Sequence, residues 1–600
     1  MVPGRPGFEA GPSFLVRSSR PLPCFSSTEA VAAIQPREEI HDVVVIGSGA
    51  GGATVAHVLT RLGVRVTLLE AGPMLDPYRE FKEHHWPYEY EHRGAEPGGR
   101  RYFGEGKPFG FFSTTSGGWE LDGEPYTVAD DTDDFWWFRS RIVGGRTNHY
   151  GRMTFRFSDY DFNPRDRDGL GWNWPITYED IAPYYDRAEA FIGVTGSREG
   201  LRSAPDGVFH EPPPPKAHEL LIQRASHKLG IPCIPNRRAV ITRPLNGRPP
   251  CHYCGQCGRG CLTASNYSAS QVQILPALET GRLTLIDQAM ARAITTDGDG
   301  RVTGVVYVDK RTGEERSVRS RVLVLAASAC ESARLLLNSR TRDFPSGVAN
   351  HSGVVGRYLM DTVGFGLGGY VPALERLPRY NSDGAGGAHL YMPWWGWDDQ
   401  QRLGFPRGYH IEIGGGYGMP GIGSFQRSAR AAGYGAALKE RARREYGTRV
   451  SFAGRGEMIP NDASYCEIDP TVVDRWGIPV LRFHFRWSEH EIRQARHMRE
   501  TFTELMALLG GEPDAPARRD ASGISIGGSI IHEVGTVRMG DDAGTSALNG
   551  FCQAHDARNL FVCDGASFVS NPDKNPTLTI NALAWRASEY LADEMSRGNL

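Results

Sequence analysis

Apolar runs with strand or helix spacing stand out near residues 43–69 and again near residues 560–591. Val43–Ile46 is a short β-branched run of the kind that forms a buried parallel strand. Val55, Val58, Leu59 and Leu62 follow at helical spacing. A second strand, Val64–Leu69, ends on Glu70. Near the other end, Leu560–Cys563 reads as a strand and Asp564-Gly565 as the turn after it. From Pro576 a helix carries Leu578, Leu583, Ala587 and Leu591, with proline at a favoured first-turn position. Residues 172–194 predict another helix, with Ile181, Tyr184, Tyr185 and Ala188 on one face. Residues 429–447 predict an exposed, charged helix without chemistry. From about 360 to 520 the alternation of strand and helix fades into a Gly-, Trp- and Tyr-rich stretch. Residues 1–40 have no periodicity and are rich in Pro, Gly and Ser. They read as a disordered extension that lacks both the apolar segment of a signal peptide and a twin arginine. No internal repeat is visible.

Composition narrows the class. A chain of 600 residues implies two or more domains. With 67 basic and 70 acidic side chains the formal charge is −3, and no long run of one sign occurs. A nucleic-acid binder or a polybasic membrane surface is not indicated. No stretch approaches the roughly 18–20 apolar residues that span a bilayer. Ten cysteines in a large chain without a signal do not suggest a disulfide framework. The scattered ones, Cys24 among them, read as small apolar residues.

The glycines after the first strand carry chemistry. Gly47, Gly49 and Gly52 form G-x-G-x-x-G between strand and helix. The first makes the tight turn, the second lets a pyrophosphate approach the backbone, and the third lets helix and strand pack closely. The helix N-terminus then faces the phosphates. Glu70 is placed to accept hydrogen bonds from a ribose. The expectation is a Rossmann-like dinucleotide site, with the C-terminal signals favouring FAD over NAD.

The closing segments are His532-Glu-Val-Gly-Thr, Asp564-Gly565-Ala and Asn575-Pro576. With VVIGSGAGG and Val143–Gly145 they occur in an order that resembles the glucose–methanol–choline (GMC) family of flavin oxidoreductases over residues 40–600. The resemblance implies an α/β fold, α+β overall. A discontinuous FAD domain would cover 41–155, 280–360 and 525–600, and a sheet-based substrate domain 361–524. A connecting region, 156–279, would carry a cysteine-rich loop at 245–270. It further implies that His532 and Asn575 face the flavin, His532 as base and Asn575 as orienting partner. Gly144, Gly145, Asn148, His149, Asp564, Gly565, Asn575 and Thr577 would contact the cofactor. The family also offers a covalent flavin bond through His149. A neutral imidazole suits the task of taking a hydroxyl proton, whereas an amide orients without titrating. Trp394, Trp395 and Trp397 could stack on a sugar ring. His389, His410 and Glu412 could bond its hydroxyls, with core packing as the alternative for all six.

Cys251, Cys254, Cys257 and Cys261 follow C-x2-C-x2-C-x3-C, the spacing of a bacterial ferredoxin run without its proline. Zinc, disulfides or an empty relic of the motif are the alternatives. The resemblance adds that sugar dehydrogenases of the family hold a [3Fe–4S] cluster on C-x5-C-x3-C, which Cys251, Cys257 and Cys261 reproduce. A [4Fe–4S] cluster would use all four. The reading is FAD-dependent oxidation of a C3 or C2 hydroxyl of a sugar or glycoside. Electrons would leave through the cluster to a cytochrome c or a small companion subunit. The rival readings are an O2-reducing pyranose or C-glycoside oxidase without a cluster, and a non-catalytic FAD-binding electron-transfer subunit. The expected location is cytoplasmic, or periplasmic if the chain is exported folded with a partner.

Overall fold

The computed structural model describes residues 39–86, 89, 117–378, 384–418, 428–430, 432–514 and 523–600. Apart from its last two residues, the expected extension over 1–40 lies outside these, as does Cys24.

The first strand, β1 (Ile40–Ile46), is followed by helix α1 (Ala50–Arg61) and β2 (Val66–Leu69). Val43–Ile46 is buried on both faces, which is why the run is continuous rather than alternating. Further along come α2 (Tyr178–Ile192), β3 (Leu283–Ile286), β4 (Ala289–Thr296), β5 (Val302–Asp309), β6 (Glu315–Leu325) and α3 (Ala329–Asn338). Helix α2 starts where the sequence signals it. Thr177 and Asp180 form a reciprocal capping box, and Ile181, Tyr185 and Ala188 are buried.

The second half adds β7 (Val363–Tyr370), β8 (Leu390–Met392), β9 (Tyr409–Gly415), β10 (Arg449–Gly456), α4 (Glu489–Leu508), β11 (Leu560–Val562) and α5 (Thr577–Ser596). The sheet around β1 runs β3-β2-β1-β6-β11, all parallel. Strand β6 changes partner along its length. Its start, Glu315–Arg319, pairs antiparallel with β5, and its end, Leu323–Leu325, pairs with β11. The meander β4–β5–β6 thus feeds the chain back into the parallel core. Helices α1 and α5 meet beside this sheet through Thr54 and Asn581, at 3.3 Å.

A second, antiparallel sheet orders β7-β10-β9-β8, extended by Glu512–Pro513 beside β7 and Ile234–Pro235 beside β8. Helix α4 covers it with Ala495, Met498, Phe502, Leu505 and Met506. In this sheet His410 lies opposite Arg455, and Glu412 opposite Ala453. The charged helix expected over 429–447 is shorter, Ala436–Glu445, because Gly433 and Gly435 take positive φ just before it.

Candidate active site

A cavity of about 440 Å³ runs between the carboxyl ends of the parallel strands and the second sheet. At one end lies Glu70, and at the other His532, Asn575, Glu412 and Arg455.

The glycine turn builds the first end. Gly47 has φ +95, and a Cβ there would lie 2.4 Å from the Ala326 carbonyl oxygen. A Cβ on Gly52 would lie 1.9 Å from the Gly47 oxygen, and one on Gly51 1.8 Å from the Cys563 oxygen. Gly49 differs, since it lines the cavity and a Cβ on it would meet nothing within 4 Å. The room beside Gly49 is what a pyrophosphate needs, and α1 begins there with no side-chain cap over its first amides. Glu70 closes this end. Its carboxylate accepts from Ser48 N (3.1 Å), Ser48 Oγ (2.6 Å) and Gly72 N (2.9 Å). Burial raises its pKa against these donors.

Of the other expected contacts, Gly145, His149, Asp564, Gly565, Asn575 and Thr577 line the cavity. Asp564 accepts from Ser328 N (3.0 Å), Ser332 Oγ (2.6 Å) and Ala566 N (2.8 Å), which fixes the start of α3 against the turn after β11. Ser328 holds φ +88, a strained value for a residue other than glycine. Gly144 and Asn148 stand behind the lining. Asn148 Nδ2 donates to the Val143 and Gly145 carbonyls (2.9 Å each), and its Oδ1 accepts from Ser270 Oγ (2.7 Å), so it shapes the turn that presents Gly145. His149 Nε2 lies 3.2 Å from Ser140 Oγ.

His532 and Asn575 meet at the far end. Asn575 Nδ2 lies 3.2 Å from His532 Nε2 and 3.3 Å from Glu412 Oε1. Turning the amide over would set its oxygen against the Glu412 carboxylate, so the Nδ2 assignment holds. Nε2 is then an acceptor, and His532 Nδ1 carries the hydrogen toward Thr362 Oγ1 at 3.0 Å. The His532 backbone N–H donates to Asp361 Oδ1 (3.0 Å), and burial pushes the Asp361 carboxyl up to about 7. Burial, followed by the nearby Arg455 charge, lowers His532 to about 3 and keeps it neutral. Glu412 is held ionised. Burial opposes this, but Arg455 (3.1 Å) and His410 outweigh it. Asn575 Oδ1 is buried and has no partner among the described residues. The site therefore holds one basic nitrogen, whose single lone pair takes the Asn575 N–H until a hydroxyl displaces it, and one amide oxygen open to a donor.

The remaining substrate candidates do not line the cavity. Trp394 packs on Trp395, Phe405 and Tyr409, and Trp397 stands edge-on to Tyr160 at 3.9 Å. They are packing residues. His389 Nδ1 bonds the Pro214 carbonyl at 2.7 Å, and His410 lies behind Glu412. Only Glu412 of the six faces the cavity. Arg455, Asp361 and Thr362 carried no signal in the sequence: strand register brings Arg455 to the site, and the bridge between Met360 and Val534 brings Asp361 and Thr362 beside His532. Arg146, which pairs with Glu533 at the cavity wall, is likewise set by tertiary contact.

No disulfide joins the four clustered cysteines in this structure. Each sulfur meets a donor group: Tyr253 N at Cys251 (3.4 Å), Gln256 N at Cys254 (3.5 Å), Gly386 N at Cys257 (3.3 Å) and Thr263 Oγ1 at Cys261 (3.4 Å). Among the described residues only Cys254 of the four enters a group tight enough for a single metal ion, with Glu83 and His252. Two buried arginines, Arg152 and Arg238, face Cys257, and neither pairs with a carboxylate among the described residues. No helix among the described residues is long and apolar enough to cross a membrane.

Comparison with known proteins agrees with this geometry. Two family models described as GMC oxidoreductase match residues 41–363 and 460–584. A 2-methyl-1,2-propanediol dehydrogenase from Mycolicibacterium austroafricanum is 32% identical over 92% of this chain and 96% of its own. A paromamine 6'-oxidase from Streptomyces fradiae is 28% identical over 93% and 92%. The fructose dehydrogenase large subunit from Gluconobacter japonicus is 26% identical over 93% and 98%. Among solved structures, pyridoxine 4-oxidase from Mesorbium loti superposes with a TM-score of 0.60 at 14% identity, covering 92% of this chain and 99% of that one.

Proposed function

The chain belongs to the GMC oxidoreductase family, and from that premise we propose that it oxidises a secondary hydroxyl, at C3 or C2, of a sugar or glycoside. It is an oxidoreductase acting on CH–OH donors, and FAD is the cofactor its family implies. The carrying observation is the pairing of a neutral His532 with Asn575 at the cavity end opposite Glu70. Bound in this cavity, FAD supplies the hydride acceptor. The open space at Gly49, the free first turn of α1 and the Glu70 carboxylate would hold its dinucleotide portion.

The protein's part is proton chemistry and orientation. A substrate hydroxyl displaces the Asn575 N–H from His532 Nε2 and donates there, while the Asn575 amide fixes its direction. The imidazolium that forms sits beside the Glu412 carboxylate, which stabilises it. Glu412 and Arg455 make this end polar and charged, which suits a substrate with several hydroxyls.

The relatives add a second reading. The dehydrogenase that is 32% identical is named for a small diol, so oxidation of a diol is the alternative. Anaerobic mixing tests both. Flavin bleaching by methyl β-D-glucopyranoside or fructose supports the sugar reading, and bleaching by 2-methyl-1,2-propanediol alone moves the assignment to diols. No bleaching by any of these rejects alcohol oxidation.

We also propose that electrons leave through an iron–sulfur cluster on Cys251, Cys254, Cys257 and Cys261. A cluster ligated by thiolates is anionic, and the buried Arg152 and Arg238, which bond carbonyl oxygens but no carboxylate among the described residues, would supply the matching charge. Residues Tyr150, Gly151 and Met153 line the cavity while Arg152 between them faces Cys257, so one short segment separates the two centres. The named large-subunit relative supports a companion subunit or cytochrome as acceptor. His149 lines the cavity and is the residue through which a covalent flavin bond would form. Acid precipitation reads this directly, with colour in the pellet if the bond exists and in the supernatant if it does not.

A further inference from the structure

Alcohol oxidation leaves a proton on His532, and a chain of titratable groups leads away from that point. The Asn575 Nδ2 group stands between His532 Nε2 (3.2 Å) and Glu412 Oε1 (3.3 Å), and a hydroxyl that displaces its N–H from Nε2 brings the two groups into reach of one proton. His410 lies two residues before Glu412 on β9, 2% exposed. Its Nε2 is 3.7 Å from Glu412 Oε1 and its Nδ1 is 3.7 Å from Asp573 Oδ2. Neither nitrogen makes a hydrogen bond among the described residues, an unusual state for a buried imidazole. A shift of about half an ångström toward either carboxylate would make one.

Asp573 opens onto a buried cluster. Carboxylate oxygens of Asp573, Asp161 and Glu457 lie within 4.8 Å of one another. Lys574 bonds Asp573 (2.6 Å) and Asp161 (3.0 Å), and Arg167 bonds Glu457 (3.2 Å). Arg407 links Glu457 (3.9 Å) to Asp168 (2.9 Å), whose side chain is 13% exposed. The groups thus lead stepwise from the cavity toward solvent. The charged groups facing His410 are Glu412 on its own strand, Arg455 opposite it on β10, Asp573 before α5, Lys574 beyond that and His532 across Asn575. The Phe155 and Tyr391 rings fill the other sides, at 5.0 and 6.1 Å.

We propose that His410 is a proton-relay residue that accepts the substrate-derived proton from His532 by way of Glu412 and delivers it to the Asp573 cluster. The inference rests on the alcohol oxidation proposed above. In that reaction the substrate C–H leaves as hydride to the flavin, and the O–H proton goes to His532 Nε2. Glu412 Oε1 takes this proton and passes it to His410 Nε2, which restores neutral His532. No oxidant beyond the flavin is required. The relay works when His410 is neutral at the start of a turnover. Its position between two carboxylates raises its affinity for a proton, although burial opposes this. Repeated turnover should therefore slow as pH falls through the titration of His410, while His532 is still neutral.

The test is steady-state turnover of the holoenzyme with an artificial electron acceptor and methyl β-D-glucopyranoside or 2-methyl-1,2-propanediol, whichever bleaches the flavin faster in anaerobic mixing. It is run from about pH 5 to pH 9 in H2O and D2O. His410→Gln should retain the flavin spectrum and the substrate dissociation constant of the parent. It should turn over on the order of tenfold more slowly at high pH, lose the acid limb and show a larger solvent isotope effect. A His410→Gln enzyme with the parent's rate, pH profile and isotope effect overturns the relay. So does a flat parent profile over this range, which needs no variant. A parent that bleaches with neither alcohol overturns the alcohol reading, and the relay with it.

Discussion

His532 is neutral because of its surroundings. Burial removes the water that would solvate an imidazolium, and Arg455 repels the same charge. The base is thus in its competent form at every pH above about 3. As pH falls, activity dependent on this neutral form persists down to that value and is lost below it. A limb at higher pH therefore reports another group: His410, whose two carboxylate neighbours raise its affinity for a proton, or Asp361, pushed up to about 7 beside the His532 backbone, and the loss of the limb in His410→Gln separates the two. Two residues of the centre, His532 and Asn575, were legible in the sequence because they sit in short motifs with fixed neighbours. Glu412 was legible only as one polar residue among six candidates. Arg455, Asp361 and Thr362 were not, since their approach depends on pairing between segments far apart in the chain.

The glycine turn separates two kinds of small residue. At Gly52 a Cβ would overlap the Gly47 carbonyl, which is backbone and cannot yield. Gly52→Ala should lower the melting temperature sharply, with a loss of at least 1–3 kcal/mol. At Gly49 the space is open. Gly49→Ala should melt near the parent yet release its flavin on gel filtration, because the methyl group occupies the pyrophosphate approach. Equal melting temperatures for the two variants would contradict this division. The parallel strands were legible because full burial demands an unbroken apolar run. The second sheet was not legible from pattern: β7 reads Val-Gly-Phe-Gly-Leu-Gly-Gly-Tyr, and such a glycine-rich stretch looks like loop until its partners are known.

At the scale of the molecule, the chain places a cysteine loop beside the cavity wall and backs it with two buried cations. Iron analysis of anaerobically purified protein should find about three or four atoms per chain, and Cys257→Ser should lose most of them. Iron-free parent protein after attempted reconstitution would instead point to direct reoxidation by O2, and peroxide production would follow. The most direct test of the central claim is the rate of flavin reduction in a single anaerobic turnover, compared between the parent and His532→Ala. The account predicts a fall of on the order of 10²–10⁴ with flavin still bound. A His532→Ala enzyme that bleaches at the parent's rate would contradict it.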